Sequence, residues 1–300
     1  MKRILVPCDF EAPAQEAFKF AQSLAALSEG EIFVLNVLDL PVVSESALGI
    51  PQYAFSPELL KDLKAEAHKN FTKLMEHNPA APPVTFACIQ GSVRLTIREY
   101  ITTQHIDLVI MGTHGSKGWE EFFIGSNTEK IVRTSPVPVF AIRKAVDVRQ
   151  IRNIVFPSTL ELNQHEMMDK VKQLQKLLHA KLHILLVDTP SQIGRDREEM
   201  DAFEEFVNHY KLTDYTENVR TDAYEQDGIL NFAQEVRADM IAMGTHSRRG
   251  LAHLFSGSIT EEVLHHSNYL LWTCSLKKSK QEKKKGQDSR EFPKISEFKY

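Results

Sequence analysis

The chain has 300 residues, of which 42% are hydrophobic and 25% are charged, and its formal net charge is −4. This composition is that of a globular protein and excludes a fibrous or disordered chain, while the length favours two domains. No apolar run approaches the roughly 18 residues of a membrane span. The first predicted strand begins by Ile4 and leaves no room for a signal peptide, so we expect a cytoplasmic protein that makes no membrane contact.

Charge is distributed unevenly along the chain. Residues 277–300 contain nine Lys or Arg against four Asp or Glu, a net of +5, so the rest of the chain carries −9. An acidic body argues against nucleic-acid binding by the domains. The basic segment 277–300, which includes three consecutive lysines at 283–285, is typical of a solvated, flexible tail.

Predicted strands and helices alternate along the first 145 residues. Short apolar runs at 4–9, 32–38, 84–89, 106–110 and 137–142 are typical of buried strands. Apolar residues at helical spacing predict helices over 14–25, 57–74 and 97–101, and a short helix begins at Ser126. The stretch 39–55 has no clear period and indicates a surface loop. Such alternation predicts a parallel sheet covered by helices on both faces, with Pro138 placing the last strand at an edge.

The same pattern recurs in the second half of the chain. The first strand repeats at an offset of 150, which pairs Val37 with Val187. The segment 106–114 repeats at an offset of 132, as 238–246, and the missing residues fall where the first half has its long loop. Internal repetition over most of a chain is strong evidence for two copies of one domain. We predict domains over 1–145 and 150–276, followed by the tail 277–300.

One glycine-rich segment, 111–127, connects the fourth strand of the first half to a helix. Its skeleton begins at Met111 and Gly112, continues with Gly115, and ends in Gly125-Ser126-Asn127. Glycines let the backbone approach an anion, and a helix N-terminus presents free N–H groups, so this segment predicts a phosphate site. The spacing differs from the Rossmann and P-loop patterns. Taken alone, a Gly-Ser pair is more often a turn into a helix.

The full skeleton resembles the nucleotide-binding signature of the universal stress protein family, in the branch that binds ATP. The resemblance covers about 1–145 and 150–276. It implies an α/β fold of two tandem doubly wound, five-stranded parallel-sheet domains, Rossmann-like and similar to adenine nucleotide alpha hydrolases. Members of this family pair through their last strands, so the tandem chain is similar to a dimer made in one polypeptide, and a further homodimer is compatible with it.

The same resemblance assigns roles to individual residues. It implies that Asp9 accepts from a ribose hydroxyl and that Pro7 and Val37 border an adenine. The phosphates would lie in a cradle formed by the following residues: Met111, Gly112, Gly115, Gly125, Ser126 and Asn127. The ligand would be ATP or another adenine nucleotide, with or without Mg²⁺. An aspartate after a strand is otherwise most often a helix cap.

The second half departs from this pattern at two positions. Thr159 occupies the position of Asp9, so the carboxylate is lost, and Ser247 replaces Gly115. A Cβ at that position disfavours a positive φ and blocks the close approach of an anion. We therefore expect one intact nucleotide site and one degenerate site.

No constellation for catalysis or metal binding stands out. Cys8, Cys88 and Cys274 lie far apart in apolar contexts, which predicts reduced, buried thiols. The histidines considered as ligands lack a carboxylate or cysteine at metal-ligand spacing; they are His114, His246, His265 and His266. We expect a stress-response nucleotide-binding protein that regulates or signals with little or no turnover. The alternatives are a ligand-free scaffold that recognises a protein partner, and a slow ATP-hydrolysing or adenylyl-transfer enzyme.

Overall fold

Strands and helices alternate through both halves of the chain, as the sequence predicts. The computed structural model describes residues 1–39, 42–45, 51–53, 57–79, 82–113, 125–189, 196–245, 258–275 and 298–299. The contacts divide the chain into two compact units, 1–112 with 280–300, and 113–279. The predicted domains 1–145 and 150–276 follow the sequence repeat instead, and those bounds stay a prediction.

The elements of the first unit are β1 (Arg3–Pro7), α1 (Ala12–Ser28), β2 (Glu31–Leu38), β3 (Val42–Glu45), β4 (Pro51–Tyr53), α2 (Pro57–His77), β5 (Val84–Gln90), α3 (Val93–Thr103), β6 (Leu108–Gly112) and β13 (Phe298–Lys299). They include a sheet with strand order β6-β1-β2-β5-β13. The first four strands of that order are parallel, and β13 is antiparallel to β5.

The central strand β1 explains why this sheet needs helices on both faces. Ile4, Leu5 and Val6 are fully buried, although successive side chains of a strand point to opposite faces. A strand that is apolar on both sides must be covered on both sides. One covering element is α1, whose buried stripe includes Ala17, Phe18 and Leu24 and which packs on β1, β2 and β6.

Two features of the first unit were not predicted. The loop 39–55 contains a two-stranded antiparallel sheet, β3 with β4, where the sequence shows no strand period. The end of the predicted tail forms β13, in which Phe298 pairs with Phe86. Both pairings depend on backbone hydrogen bonds between short segments, and a sequence period does not encode such bonds.

The elements of the second unit are α4 (Ser126–Thr134), β7 (Val139–Ile142), a 3₁₀ turn (Val148–Gln150), β8 (Asn153–Pro157), α5 (His165–Leu178), β9 (Lys181–Asp188), α6 (Asp196–Tyr210), β10 (Tyr215–Thr221), α7 (Glu225–Glu235), β11 (Met240–Gly244), α8 (Ser258–His266) and β12 (Leu270–Cys274). Among its described strands, the order β10-β9-β8-β11-β12-β7 forms a sheet. The first five strands of that order are parallel, and β7 is antiparallel to β12.

Strand β7 is the last strand of the first sequence repeat, and it pairs with the last strand of the second. Phe140 lies opposite Trp272, and both side chains are fully buried. The prediction that Pro138 places this strand at an edge was wrong, because the proline lies before β7 and not within it, so its missing N–H removes no ladder hydrogen bond. Pairing of the two last strands agrees with what the family resemblance implies.

The internal repeat extends to individual hydrogen bonds. Asp107 accepts from the backbone N–H groups of Lys2 and Arg3, and Asp239 does the same for Arg152 and Asn153. Left-handed residues also recur: Phe10 has φ 67° and Leu160 has φ 58°. The predicted offsets of 150 and 132 are confirmed, because Ile4 pairs with Leu108 as Ile154 pairs with Met240. Within the described residues, no helix combines the length and the apolarity needed to cross a membrane.

Candidate functional site

Three neighbouring strands of the first unit bring predicted site residues to one edge of the sheet. In the order β6-β1-β2 the strands are parallel, so their carboxyl ends lie on the same side. Pro7 ends β1, Val37 lies near the end of β2, and Met111 and Gly112 end β6. Met111 is buried, and the other three are partly exposed. Ligands of open α/β sheets bind at such carboxyl ends.

Asp9 lies two residues after the end of β1 and is exposed. Its Oδ1 accepts a hydrogen bond from the N–H of Glu11 at 3.1 Å, which forms a tight turn into α1. Phe10, at the centre of that turn, has φ 67°, a conformation that a bulky residue rarely adopts. A carboxylate offers about four acceptor positions, so the bond to Glu11 leaves capacity for a ligand hydroxyl.

Asn36, which was not among the predicted site residues, holds the backbone just before Asp9. This buried side chain donates from Nδ2 to the carbonyl of Cys8 at 2.8 Å. Its Oδ1 accepts from the thiol of Cys88 at 3.5 Å. The sequence feature that could have identified Asn36 is its position as the one amide within the apolar run of β2. A buried polar side chain requires hydrogen-bond partners, so such a residue is expected to make specific contacts. In the second half the corresponding residue is Leu186, so this contact is specific to the first.

Of the two thiols near this edge, Cys8 is buried as predicted, whereas Cys88 is only partly buried, so the prediction of a buried thiol was wrong for Cys88. Burial raises the pKa of the Cys8 thiol to about 12, and burial also raises the pKa of Cys88. Because the thiolate is the reactive form of cysteine, these two thiols are poor nucleophiles at neutral pH. Cys8, Cys88 and Cys274 are all free cysteines.

Gly112 is required by packing, independently of any ligand. A Cβ at this position would lie 2.1 Å from the carbonyl oxygen of Pro13 and 2.3 Å from its carbonyl carbon. Pro13 belongs to the first turn of α1, which packs against β6. The glycine therefore allows the start of α1 to approach the end of β6 closely.

The remaining described site residues lie at the start of α4 in the second unit. Gly125 is the N-cap residue, with φ −58° and ψ 133°, and because it has no side chain it makes no cap hydrogen bond. Ser126 and Asn127 follow as exposed residues of the first turn. The first N–H groups of a helix have no intrahelical partner and favour an anion. Gly115 lies outside the described residues, and the joint action of the two sets on one ligand stays a prediction.

The second half has different chemistry at the position of Asp9. Thr159 is exposed there and carries no carboxylate. The turn is made instead by Ser158, whose Oγ accepts from the N–H of Leu160 at 3.0 Å. A Cβ on Gly228 would lie 2.6 Å from Cγ1 of Val187, so the start of α7 packs tightly against that valine. Ser247 lies outside the described residues.

Of the four histidines considered as metal ligands in the sequence, two lie within the described residues and two do not. His265 and His266 lie in the last turn of α8, and Nε2 of His266 is 3.0 Å from Glu262 one turn earlier. His114 and His246 lie outside the described residues. Within the described part of the chain, no three or more His, Cys, Asp or Glu side chains are arranged to hold a metal ion.

Comparison with known proteins gives concordant results. The chain is 24% identical over 286 residues to universal stress protein Slr1230 of Synechocystis sp., an alignment that covers 88% of this chain and 96% of that protein. Universal stress protein MJ0531 of Methanocaldococcus jannaschii is 29% identical over 144 residues, covering 48% of this chain and 82% of its own. A solved universal stress protein from Archaeoglobus fulgidus matches the fold with a TM-score of 0.69 at 17% identity, over 92% of this chain and 98% of its own.

The family assignment rests on both halves. The sequence model of the universal stress protein family matches residues 1–143 and again residues 150–271. The two matched segments coincide with the two copies of the strand and helix pattern, which share registers and hydrogen bonds. The chain therefore belongs to the universal stress protein family and carries two copies of its domain in tandem.

Proposed function

We propose that this chain is a stress-response protein that binds an adenine nucleotide in its first half and acts as a regulatory or signalling module. The observation that carries the proposal is the placement of Pro7, Asp9, Val37 and Gly112 around the carboxyl ends of β1, β2 and β6. Asp9 supplies a carboxylate beside this edge, and Asn36 fixes the backbone that bears it. Family membership supports the proposal, because the glycine skeleton was identified by its likeness to that family's ATP-binding branch.

The residues take distinct roles in this proposal. Asp9 accepts from the ribose, while Pro7 and Val37 border the adenine. The phosphates lie at Gly112, Gly115 and the start of α4, where the helix dipole contributes about 0.3–1 kcal/mol toward an anion. The backbone cradle at that end comprises Gly125, Ser126 and Asn127, and a Mg²⁺ ion can accompany the phosphates.

Slow or absent turnover is part of the proposal. Asp9 is the carboxylate assigned to the site, and its role is to hold the ribose. Hydrolysis or transfer requires a general base within hydrogen-bond reach of the attacking group. None of the residues assigned to the phosphates supplies a general base. The bound nucleotide is therefore not turned over, and its presence or absence is what the protein signals.

Co-purifying small molecules test whether a nucleotide is present. The full chain is purified without added nucleotide and denatured, and the released compounds are identified by mass spectrometry. An adenine nucleotide is the expected result. Absence of any nucleotide, together with no binding of ATP, ADP or AMP by calorimetry, would leave the ligand-free scaffold as the better description.

Substitution of Asp9 tests the site itself. Asp9→Ala removes the proposed ribose acceptor and is expected to weaken nucleotide binding about ten- to a hundredfold, since hydrogen bonds to charged groups contribute roughly 1.5–3 kcal/mol. Asp9→Asn keeps a side-chain oxygen for the turn to Glu11 and separates the effect of charge from that of the turn. The matched control is Thr159→Ala at the equivalent position of the second half. Equal losses at positions 9 and 159 would contradict the assignment to the first half.

A further inference from the structure

Two histidines from different helices meet at the surface of the second unit. His165 begins α5, and His209 lies in the last turn of α6. Their Nε2 atoms are 3.4 Å apart, whereas their ring centres are 4.9 Å apart. The two rings therefore face each other with their Nε2 edges. Both side chains are exposed to solvent.

A buried tyrosine sets the distance between the two rings. Tyr210 contacts both imidazoles edge-on, with ring centres 5.4 Å from His165 and 4.7 Å from His209. Its hydroxyl accepts from the N–H of Gln164 at 2.9 Å and donates to the carbonyl of Glu161 at 3.3 Å. Because Gln164 directly precedes His165, one side chain orients both the start of α5 and the pair of rings. The approach of the two nitrogens is thus built into a packed part of the unit.

The separation of the nitrogens matches chelation better than hydrogen bonding. At 3.4 Å the contact is at most a long hydrogen bond, since hydrogen bonds from N–H groups typically span about 2.7–3.2 Å between heavy atoms. Two imidazole nitrogens that each lie about 2.0–2.1 Å from a tetrahedral zinc ion are separated by roughly 3.3–3.4 Å. The pair is already at the bite distance of a late transition metal, so binding requires little rearrangement.

We propose that His165 and His209 form a surface binding site for a divalent late transition metal ion, with Zn²⁺ as the representative. Imidazole nitrogen is a preferred ligand for zinc, copper and nickel. The described residues offer no third histidine, cysteine or carboxylate in position, so water or an external ligand completes the coordination. The site is therefore open and exchangeable, unlike a closed structural zinc site.

Carboxylates on the α6 side of the pair favour a cation, and the nearby ammonium of Lys172 is held by the carbonyl of Tyr210 at 3.1 Å. His209 lines a surface depression together with Asp201, Glu204, Glu205 and Asn208, three of which are carboxylates. Clustered carboxylates raise the local concentration of cations through their summed field. Glu205 lies one helical turn before His209, on the same face of α6, which places a carboxylate on the approach to the site.

Calorimetric titration of the full chain with ZnCl₂, after treatment with a chelator and removal of that chelator, tests the proposal. The wild-type protein is expected to bind one Zn²⁺ ion at this pair. His165→Gln and His209→Gln are each expected to weaken that event by at least about tenfold, since loss of even an outer-shell partner typically costs ten- to a hundredfold in metal affinity. The double variant is expected to bind zinc no more weakly than the single variant with the lower affinity. The reason is that one remaining imidazole cannot chelate the ion, so removing it as well changes little.

The control is His77→Gln, which removes an exposed histidine of α2 in the other unit. It is expected to bind zinc as the wild type does. Circular dichroism confirms that each variant is folded; should His209→Gln fail to fold, His165→Gln decides the matter alone. Wild-type affinity in the His165 variant, or no zinc binding by the wild-type chain, would overturn the proposal. The outcome is independent of the nucleotide site, which lies on other elements.

Discussion

Single side chains determine how the edge of the first sheet is shaped. Asn36 reaches from β2 to the end of β1 and to Cys88 of β5, so one amide joins three strands. Asp9 then closes the turn into α1, and Gly112 lets that helix approach β6. The shape of the candidate site therefore depends on how the backbone packs at this edge. Asn36, Asp9 and Gly112 are the residues that allow that packing.

Gly112→Ala is expected to destabilise the protein by about 1–3 kcal/mol, the typical cost of forcing an extra methyl group into a packed interior. The methyl group would meet backbone atoms of Pro13, which cannot move without shifting α1. Urea denaturation followed by circular dichroism measures the change in the free energy of unfolding.

Gly228→Ala provides the comparison for that measurement. Its methyl group would meet a side-chain carbon of Val187, and the substitution also gains helix propensity within α7, about 1 kcal/mol. We expect it to cost clearly less than the change at position 112. If the two substitutions lowered the free energy of unfolding equally, backbone crowding would not explain why position 112 is a glycine.

Among the elements, strands β8, β9 and β10 are joined by one buried histidine. His183 of β9 contacts Oδ1 of Asn153 on β8 through Nε2, at 3.1 Å. Its Nδ1 contacts Oγ1 of Thr216 on β10, at 2.8 Å. Burial, followed by the nearby charge of Lys181, lowers the pKa of His183 below its usual 6.5. The three strands are thus linked by a ring that the fold keeps neutral.

The sign of the resulting pH dependence follows from linkage. As the pH falls below about 6.5, the unfolded chain takes up a proton at this histidine before the folded protein does, so the free energy of unfolding decreases. Between pH 7 and pH 5 the wild type is expected to lose stability more steeply than His183→Gln. Parallel slopes in denaturant titrations of the wild type and His183→Gln would contradict the lowered pKa.

The elements were largely predictable from the sequence, and their partners less so. The strands around Ile4, Val37 and Ile154 were recognised because buried parallel strands are continuous apolar runs, and the offsets of 150 and 132 were confirmed by pairing registers. Asn36 was not predicted as a site residue, although it is a polar residue within an otherwise apolar run of β2. The pairing of β13 with β5 could not be foreseen, since it uses backbone groups of two residues. The predicted ligand contacts of Asp9 and Ser126 remain predictions.

At the scale of the whole molecule, the two halves share a fold but differ in chemistry. The first half has Asp9 and Asn36, where the second has Thr159 and Leu186. Selection for the fold can preserve Asp107 and Asp239, which clamp equivalent strands, while the ligand chemistry of one copy is lost.

This asymmetry predicts the stoichiometry of nucleotide binding. Calorimetry on the full chain is expected to give one adenine nucleotide per polypeptide, because a single half supplies the carboxylate. Asp9→Ala should abolish or weaken that one event, and no second event should remain at similar affinity. Two equivalent events per chain would show that Thr159 is compatible with binding, and the view of a degenerate second half would be wrong.

The pairing of β7 with β12 has a practical consequence for anyone who divides the gene. A cut at 146–149, where the repeats join, would separate β7 from its neighbour and leave β12 with an open edge that carries Trp272. An open edge of this kind is a template for self-association. A fragment that contains the second repeat should therefore begin upstream of Val139, so that β12 keeps its partner strand.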